Sequence, residues 1–231
     1  MTSLMGEVSS DPIIQSFPSG DLLVVDRRCA TSRDGVPESN ARVYGAAGEL
    51  RRAFTLGDGI EHVLVDDAGT IWVGYFDEGI YGDSPISASG VARFDASGDV
   101  CWSYEPPGGL FVDDCYCLNV SGQDVWTSYY SEFPIVHIHD QAITGVWRNV
   151  VTGARALAVA NDRVLLVGGY RDDHNRAVLV ELAADRARES QRFTISTRDN
   201  TPLQRATIVG RGPFLDILDG SDWYRLDVRQ L

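Results

Sequence analysis

The chain has 231 residues, a hydrophobic fraction of 44% and a formal net charge of −13. That charge argues against the nucleic-acid backbone as a partner and leaves a basic protein partner or a cation as the easier fit. No apolar run reaches the roughly 18 residues of a membrane span, and MTSLMGEVSSDP has neither the basic start nor the apolar segment of a signal peptide, so a cytoplasmic location is expected.

In chain order, the first strong signal is a hairpin at 13–25 (IIQSFPSGDLLVV), followed by a second at 41–54 (ARVYGAAGELRRAF) after a long loop. The clearest unit follows. Ile60–Val65 and Thr70–Tyr75 are β-branched and aromatic runs joined by Asp66-Asp67-Ala68-Gly69, which is a strand, a tight turn and a strand. After the loop Phe76–Gly90, Val91–Phe94 and Val100–Tyr104 form another hairpin around Asp95-Ala96-Ser97-Gly98. Four strands in about 45 residues make one propeller blade. The pattern returns at 117–129 and 135–150, then at 157–170 and 177–195, and finally at 206–218. The closest pair sets Trp72 opposite Trp126 and Tyr75 opposite Tyr129. Ala183–Arg192 has helix formers without an apolar stripe and reads as the long turn of a hairpin, with room for one helical turn.

The fold class expected is all-β, a single β-propeller domain over 1–231 with about five four-stranded blades. After Gly220 only one strand, around Trp223–Val228, fits the remaining sequence. Completion of the last blade by an N-terminal strand at Leu4–Val8 is therefore expected, because it removes an exposed edge.

Residues Asp66, Gly69, Ile71, Trp72, Val73, Gly74 and Gly79 form a D-x-x-G-x-I-W-V-G pattern with a following glycine. This resembles the propeller repeats of bacterial two-component regulators. The resemblance implies a fold and no activity, since the kinase and membrane segments of those sensors have no counterpart in this sequence. The basic residues are all Arg, with no Lys, which fits codon usage in a GC-rich bacterial genome.

The repeat register gathers charged residues from the loops at one rim of the blades. Glu61, His62, Asp77 and Asp114 are the candidate acid–base residues, His beside a carboxylate being a normal proton-transfer pair. Glu78, Tyr81, Arg155, Arg171 and Arg205 are the candidate ligand-binding residues, because a planar guanidinium grips carboxylate or phosphate bidentately. The function expected is capture of a small polar ligand or a partner through this charged face; the alternative is a hydrolase, lyase or cyclase using the His–carboxylate pair. The acidic pairs Asp77-Glu78, Asp113-Asp114 and Asp172-Asp173 lack the spacing of a calcium loop. His137 and His139 share a strand face with Asp140 adjacent, yet the strand is expected third in its blade, away from the axis, with no further Cys or His nearby, so they read as surface histidines, and no metal or cofactor is assigned. The alternating Cys115 and Cys117, flanked by apolar residues, read as buried small hydrophobes.

Overall fold

The computed structural model describes residues 11–203 and 206–231. The chain divides into two compact units, Met1–Cys115 and Tyr116–Leu231.

The first unit contains two four-stranded antiparallel sheets. One is β1 (Ile13–Ser16), β2 (Leu22–Val25), β3 (Ala41–Tyr44) and β4 (Leu50–Phe54); the other is β5 (Ile60–Val65), β6 (Ile71–Tyr75), β7 (Val91–Phe94) and β8 (Val100–Ser103). Each strand pairs with the next in sequence. The β5–β6 turn shows why the aspartate recurs. The Asp66 carboxylate accepts from the backbone N–H groups of Ala68 and Thr70 at 2.9 and 2.8 Å, while Gly69 takes a φ of 80° that a side chain would oppose. The loop after β6 is not wholly irregular: it holds one helical turn, α1 (Asp77–Ile80), and a 3-10 turn at Ser87–Ser89. The second strand of this sheet, β6, is buried throughout, and the fourth, β8, is largely exposed.

The second unit is built the same way. Strands β9 (Asp114–Ser121), β10 (Asp124–Tyr130), β11 (Ile135–His139) and β12 (Ala142–Trp147) form one meander. β13 (Ala156–Ala160), β14 (Arg163–Val167), β15 (Arg176–Ala183) and β16 (Arg186–Thr194) form the next. A third meander, β17 (Thr207–Arg211), β18 (Phe214–Asp219) and β19 (Asp222–Asp227), has three strands among the described residues. It joins the β9–β12 meander through one parallel bridge, Gly210 to Asn119, giving a seven-stranded sheet. The expected completing strand at Leu4–Val8 lies outside the described residues.

The alternation along β13–β15 explains why these strands read as continuous apolar runs. Leu157, Val159, Val164, Leu166, Val178 and Val180 enter one core cluster. Their neighbours Ala156, Ala158, Leu165, Val167, Ala177 and Leu179 enter another. Successive side chains point to opposite faces, so this sheet is covered on both sides. Cys115 and Cys117 are buried thiols outside any disulfide, in line with a packing role, and Cys117 Sγ donates to the Ala154 carbonyl at 3.1 Å.

One expectation is corrected. Ala183–Arg192 is neither a long turn nor helical: β15 and β16 pair through to Ala183–Arg186, leaving only Ala184 and Asp185 at the tip. The helix formers are overridden because β16 is a mostly exposed outer strand, where pairing to β15 satisfies the backbone and charged side chains remain in water. Among the described residues no helix is long and apolar enough to cross a membrane.

Candidate functional site

In the first unit the charged loop residues pair with one another. Arg28 grips Asp58 with two bonds, Nε to Oδ1 at 3.0 Å and Nη2 to Oδ2 at 3.1 Å, and also pairs with Glu78. Asp58 accepts from the Cys29 N–H at 2.7 Å, while Ser87 Oγ donates to the Asp58 carbonyl at 2.7 Å. Arg27 donates to the Glu61 carbonyl at 2.9 Å and lies 3.5 Å from the Glu61 carboxylate. A close backbone approach fixes this loop: a Cβ on Gly79 would lie 2.2 Å from the Asp58 carbonyl oxygen. The glycine that completes the repeat motif is thus required sterically.

The predicted acid–base residues lie on β5, α1 and β9. Glu61 is the bulge residue of β5, where pairing shifts between Ile60 and His62, and it turns to Arg27. His62 is half-buried opposite Gly74. Asp77 opens α1, its carboxylate accepting from the Glu78 N–H at 2.7 Å. Tyr81 is exposed and donates its hydroxyl to Asp113, a bond that pushes the phenol up from its ordinary value. Asp114 opens β9 and is half-buried. The structure brings Glu78 to Arg28 and Tyr81 to Asp113. Asp58, the hub of the network, escaped the sequence reading because nothing in its immediate sequence distinguishes it from a turn aspartate.

Burial opposes ionisation of Asp58, but the Arg28 guanidinium and the Cys29 and Gly59 N–H groups outweigh it and hold the carboxyl below its usual value. A depressed carboxyl contributes stability above its unfolded pKa of about 3.9, lost as pH falls through the folded value. Asp58→Asn is therefore expected to lower the melting temperature at pH 7, with the difference from the parent protein closing as the pH drops below about 4. Melting curves across pH 2.5–7 would show it; a pH-independent difference would contradict it.

In the second unit a cavity of about 350 Å³ is lined by Arg155, Gly168, Gly169, Arg171, His174, Asn175, Leu203 and Ala206. Two of the predicted ligand-binding arginines, Arg155 and Arg171, meet here. Arg205 lies outside the described residues. The wall is held by Arg176, whose Nε donates to the Gly168 carbonyl at 3.1 Å, and by buried Asn175, whose amide donates to Leu203 at 3.2 Å. Gly169 has no room for a side chain, a Cβ meeting Asp173 at 2.5 Å. Arg155 lies over the Tyr116 ring at 5.5 Å, and Tyr170 donates its hydroxyl to that of Tyr116 at 3.2 Å. Arg171 has a φ of 54°, a left-handed conformation that costs energy for a non-glycine residue. Tyr116, Tyr170 and Asn175 were not singled out by sequence. The dipeptide Gly168-Gly169 was the available signal for a close backbone approach.

Solved structures resemble the chain at the level of fold. A protein of unknown function from Bacteroides caccae matches with a TM-score of 0.54 and 12% identity over 93% of this chain and 77% of its own. The WD40 domain of Neurospora crassa Pan2 matches at 0.53 with 8% identity, over 93% and 64%. A putative 6-phosphogluconolactonase from Bacteroides fragilis matches at 0.52 with 11% identity, over 97% and 69%. These likenesses, with the four-stranded antiparallel meanders, show a propeller-like all-β fold. No curated protein matches the sequence. The YxzG family model matches residues 91–225, more than half of the chain, and the chain belongs to the YxzG family.

Proposed function

We propose that this protein is a cytoplasmic bacterial β-propeller, a single domain of about five blades, that binds a small polar ligand carrying a carboxylate or phosphate. The observation that carries the reading is the convergence of Arg155, Arg171 and His174 on one cavity in a chain of net charge −13. Guanidinium groups concentrated against the sign of the whole molecule select an anionic group. A volume near 350 Å³ lies at the lower end of small-molecule sites, about 300–1,000 Å³. A basic protein partner for the acidic remainder of the surface is the other form of the same binding role.

Thermal melting in the presence of inorganic phosphate or succinate tests the reading. Saturating ligand should raise the melting temperature, with a stabilisation of about 2.7 kcal/mol at a hundredfold excess over Kd. Arg155→Ala and Arg171→Ala should abolish that increment while leaving the unliganded melting temperature nearly unchanged, since both side chains are exposed. No stabilisation by either anion, or full retention in both variants, would refute binding at this cavity.

A second reading, an enzyme using His62 with Glu61, Asp77 or Asp114, is supported by the fold-level likeness to the putative 6-phosphogluconolactonase. Hydrolysis of 6-phosphogluconolactone that His62→Ala slows without weakening substrate binding would establish it, because an acid–base group acts mainly in the transition state.

A further inference from the structure

Away from the cavity, β10 and β11 bring together three side chains that the sequence reading left unassigned. Asp124 stands directly opposite His139 in the antiparallel register, and His137 lies two residues along the same strand, on the same face. His137 Nε2 and His139 Nδ1 both approach Asp124 Oδ1 at 2.8 Å. The three ligand atoms all lie within 4.8 Å of one another. The third partner comes from the neighbouring strand and not from the adjacent Asp140, which is why sequence spacing alone concealed it.

The pair of imidazoles is held before any ligand arrives. The His137 ring stacks on Trp126 at 4.1 Å with an interplanar angle of 13°. Its other nitrogen, Nδ1, lies 2.8 Å from Thr144 Oγ1. Thr144 occupies the irregularity in β11–β12 pairing, where His137 pairs with Gly145 and Ile138 with Ile143. The bulge supplies the hydroxyl at the one place where it can orient the ring. The equivalent position in the first unit, Arg93 opposite Trp72, carries a guanidinium over the tryptophan, so the packing of a blade does not require histidine here.

We propose that Asp124, His137 and His139 form a site for a divalent transition-metal ion of the zinc class. Two imidazole nitrogens and one carboxylate oxygen are the donor set that such ions take, and three protein ligands leave a fourth position for water or an outside donor. That position is accessible, because the side chains of His139 and Asp124 are 49% and 48% exposed. Tetrahedral bonds of about 2.0–2.2 Å place ligand atoms roughly 3.4 Å apart, so each 2.8 Å contact must open by only about half an ångström. Metal at His137 Nε2 displaces its proton to Nδ1, which then donates to Thr144 Oγ1, the outer contact that metal-bound histidines ordinarily make.

Isothermal titration of the full chain with Zn²⁺, and with Co²⁺ followed by visible absorption, tests the site. One equivalent should bind, with Co²⁺ giving the d–d bands of tetrahedral nitrogen–oxygen ligation and quenching of Trp126 fluorescence. His139→Ala and Asp124→Asn should each weaken binding by at least tenfold, and Thr144→Val by about tenfold through the outer contact. Asp140→Asn should change nothing. Unaltered circular dichroism in the exposed His139→Ala variant separates loss of the site from loss of the fold. Absence of binding at millimolar Zn²⁺, or binding that His139→Ala and Asp124→Asn leave intact, would overturn the proposal.

Discussion

Trp126→Ala is expected to lower the unfolding free energy by roughly 3–5 kcal/mol, and Trp72→Ala by a similar amount. Both tryptophans sit in the second strand of their four-stranded meanders and are largely buried, at 9% and 3% exposure. Each is wedged between its third-strand partner and a fourth-strand tryptophan. Trp126 stacks on His137 at 4.1 Å and on Trp147 at 5.7 Å. Trp72 meets Arg93 at 5.7 Å and Trp102 at 5.6 Å. Truncation removes a large apolar surface and opens a cavity that paired strands cannot collapse into, so both costs add. Urea denaturation followed by far-ultraviolet circular dichroism would measure it. A loss below about 1 kcal/mol at either position would show that the stacked layers are not where stability resides.

Asn119→Ala should be nearly as damaging, at roughly 2–4 kcal/mol. Asn119 is fully buried in β9, and its amide donates to the carbonyls of Leu157 and Gly212 at 2.9 and 3.0 Å while its oxygen accepts from the Gly212 N–H at 2.8 Å. One side chain thereby joins two strands and a turn: β9, β13 and the β17–β18 turn. The Gly212 carbonyl keeps a second donor, Val159, which tempers the loss. Asn119→Asp retains the shape but points an acceptor at two carbonyl oxygens, so it is expected to be at least as harmful as alanine. The contact tolerates little adjustment nearby, because a Cβ on Gly210 would lie 1.8 Å from the Leu157 carbonyl oxygen. Equal stability of Asn119→Ala and the parent protein in the same denaturation experiment would disprove this account.

The second unit's stitching by Asn119 has a local counterpart in the first. Asn40 is buried just before β3, donating to Asp26 and Gly57 at 3.1 and 2.8 Å and accepting from Leu56 at 2.9 Å. Asn175 occupies the same place before β15. Neither stands out in sequence, where asparagine before a strand reads as an ordinary loop residue.

The sequence by itself determined the strands, their hairpin pairing and the alignment of Trp72 with Trp126. Those features are local: period-two hydrophobicity, Asp-x-x-Gly turns and β-branched runs are set within a few residues of one another. It also assigned Arg155, from a segment entering a blade, and Arg171, from a loop between second and third strands, to one charged rim, and both line the cavity of the second unit. Helix-forming composition at 183–192 misled because edge pairing is a property of the assembled sheet. What only the tertiary structure decided were the partners of each charged and polar side chain: Asp58 under Arg28, Asn175 behind the cavity, and Asp124 between His137 and His139. Such contacts depend on which residues of separate strands or loops stand opposite each other. A one-residue change of register or a bulge such as that at Glu61 or Thr144 re-aims a side chain without altering the pattern that predicts the strand.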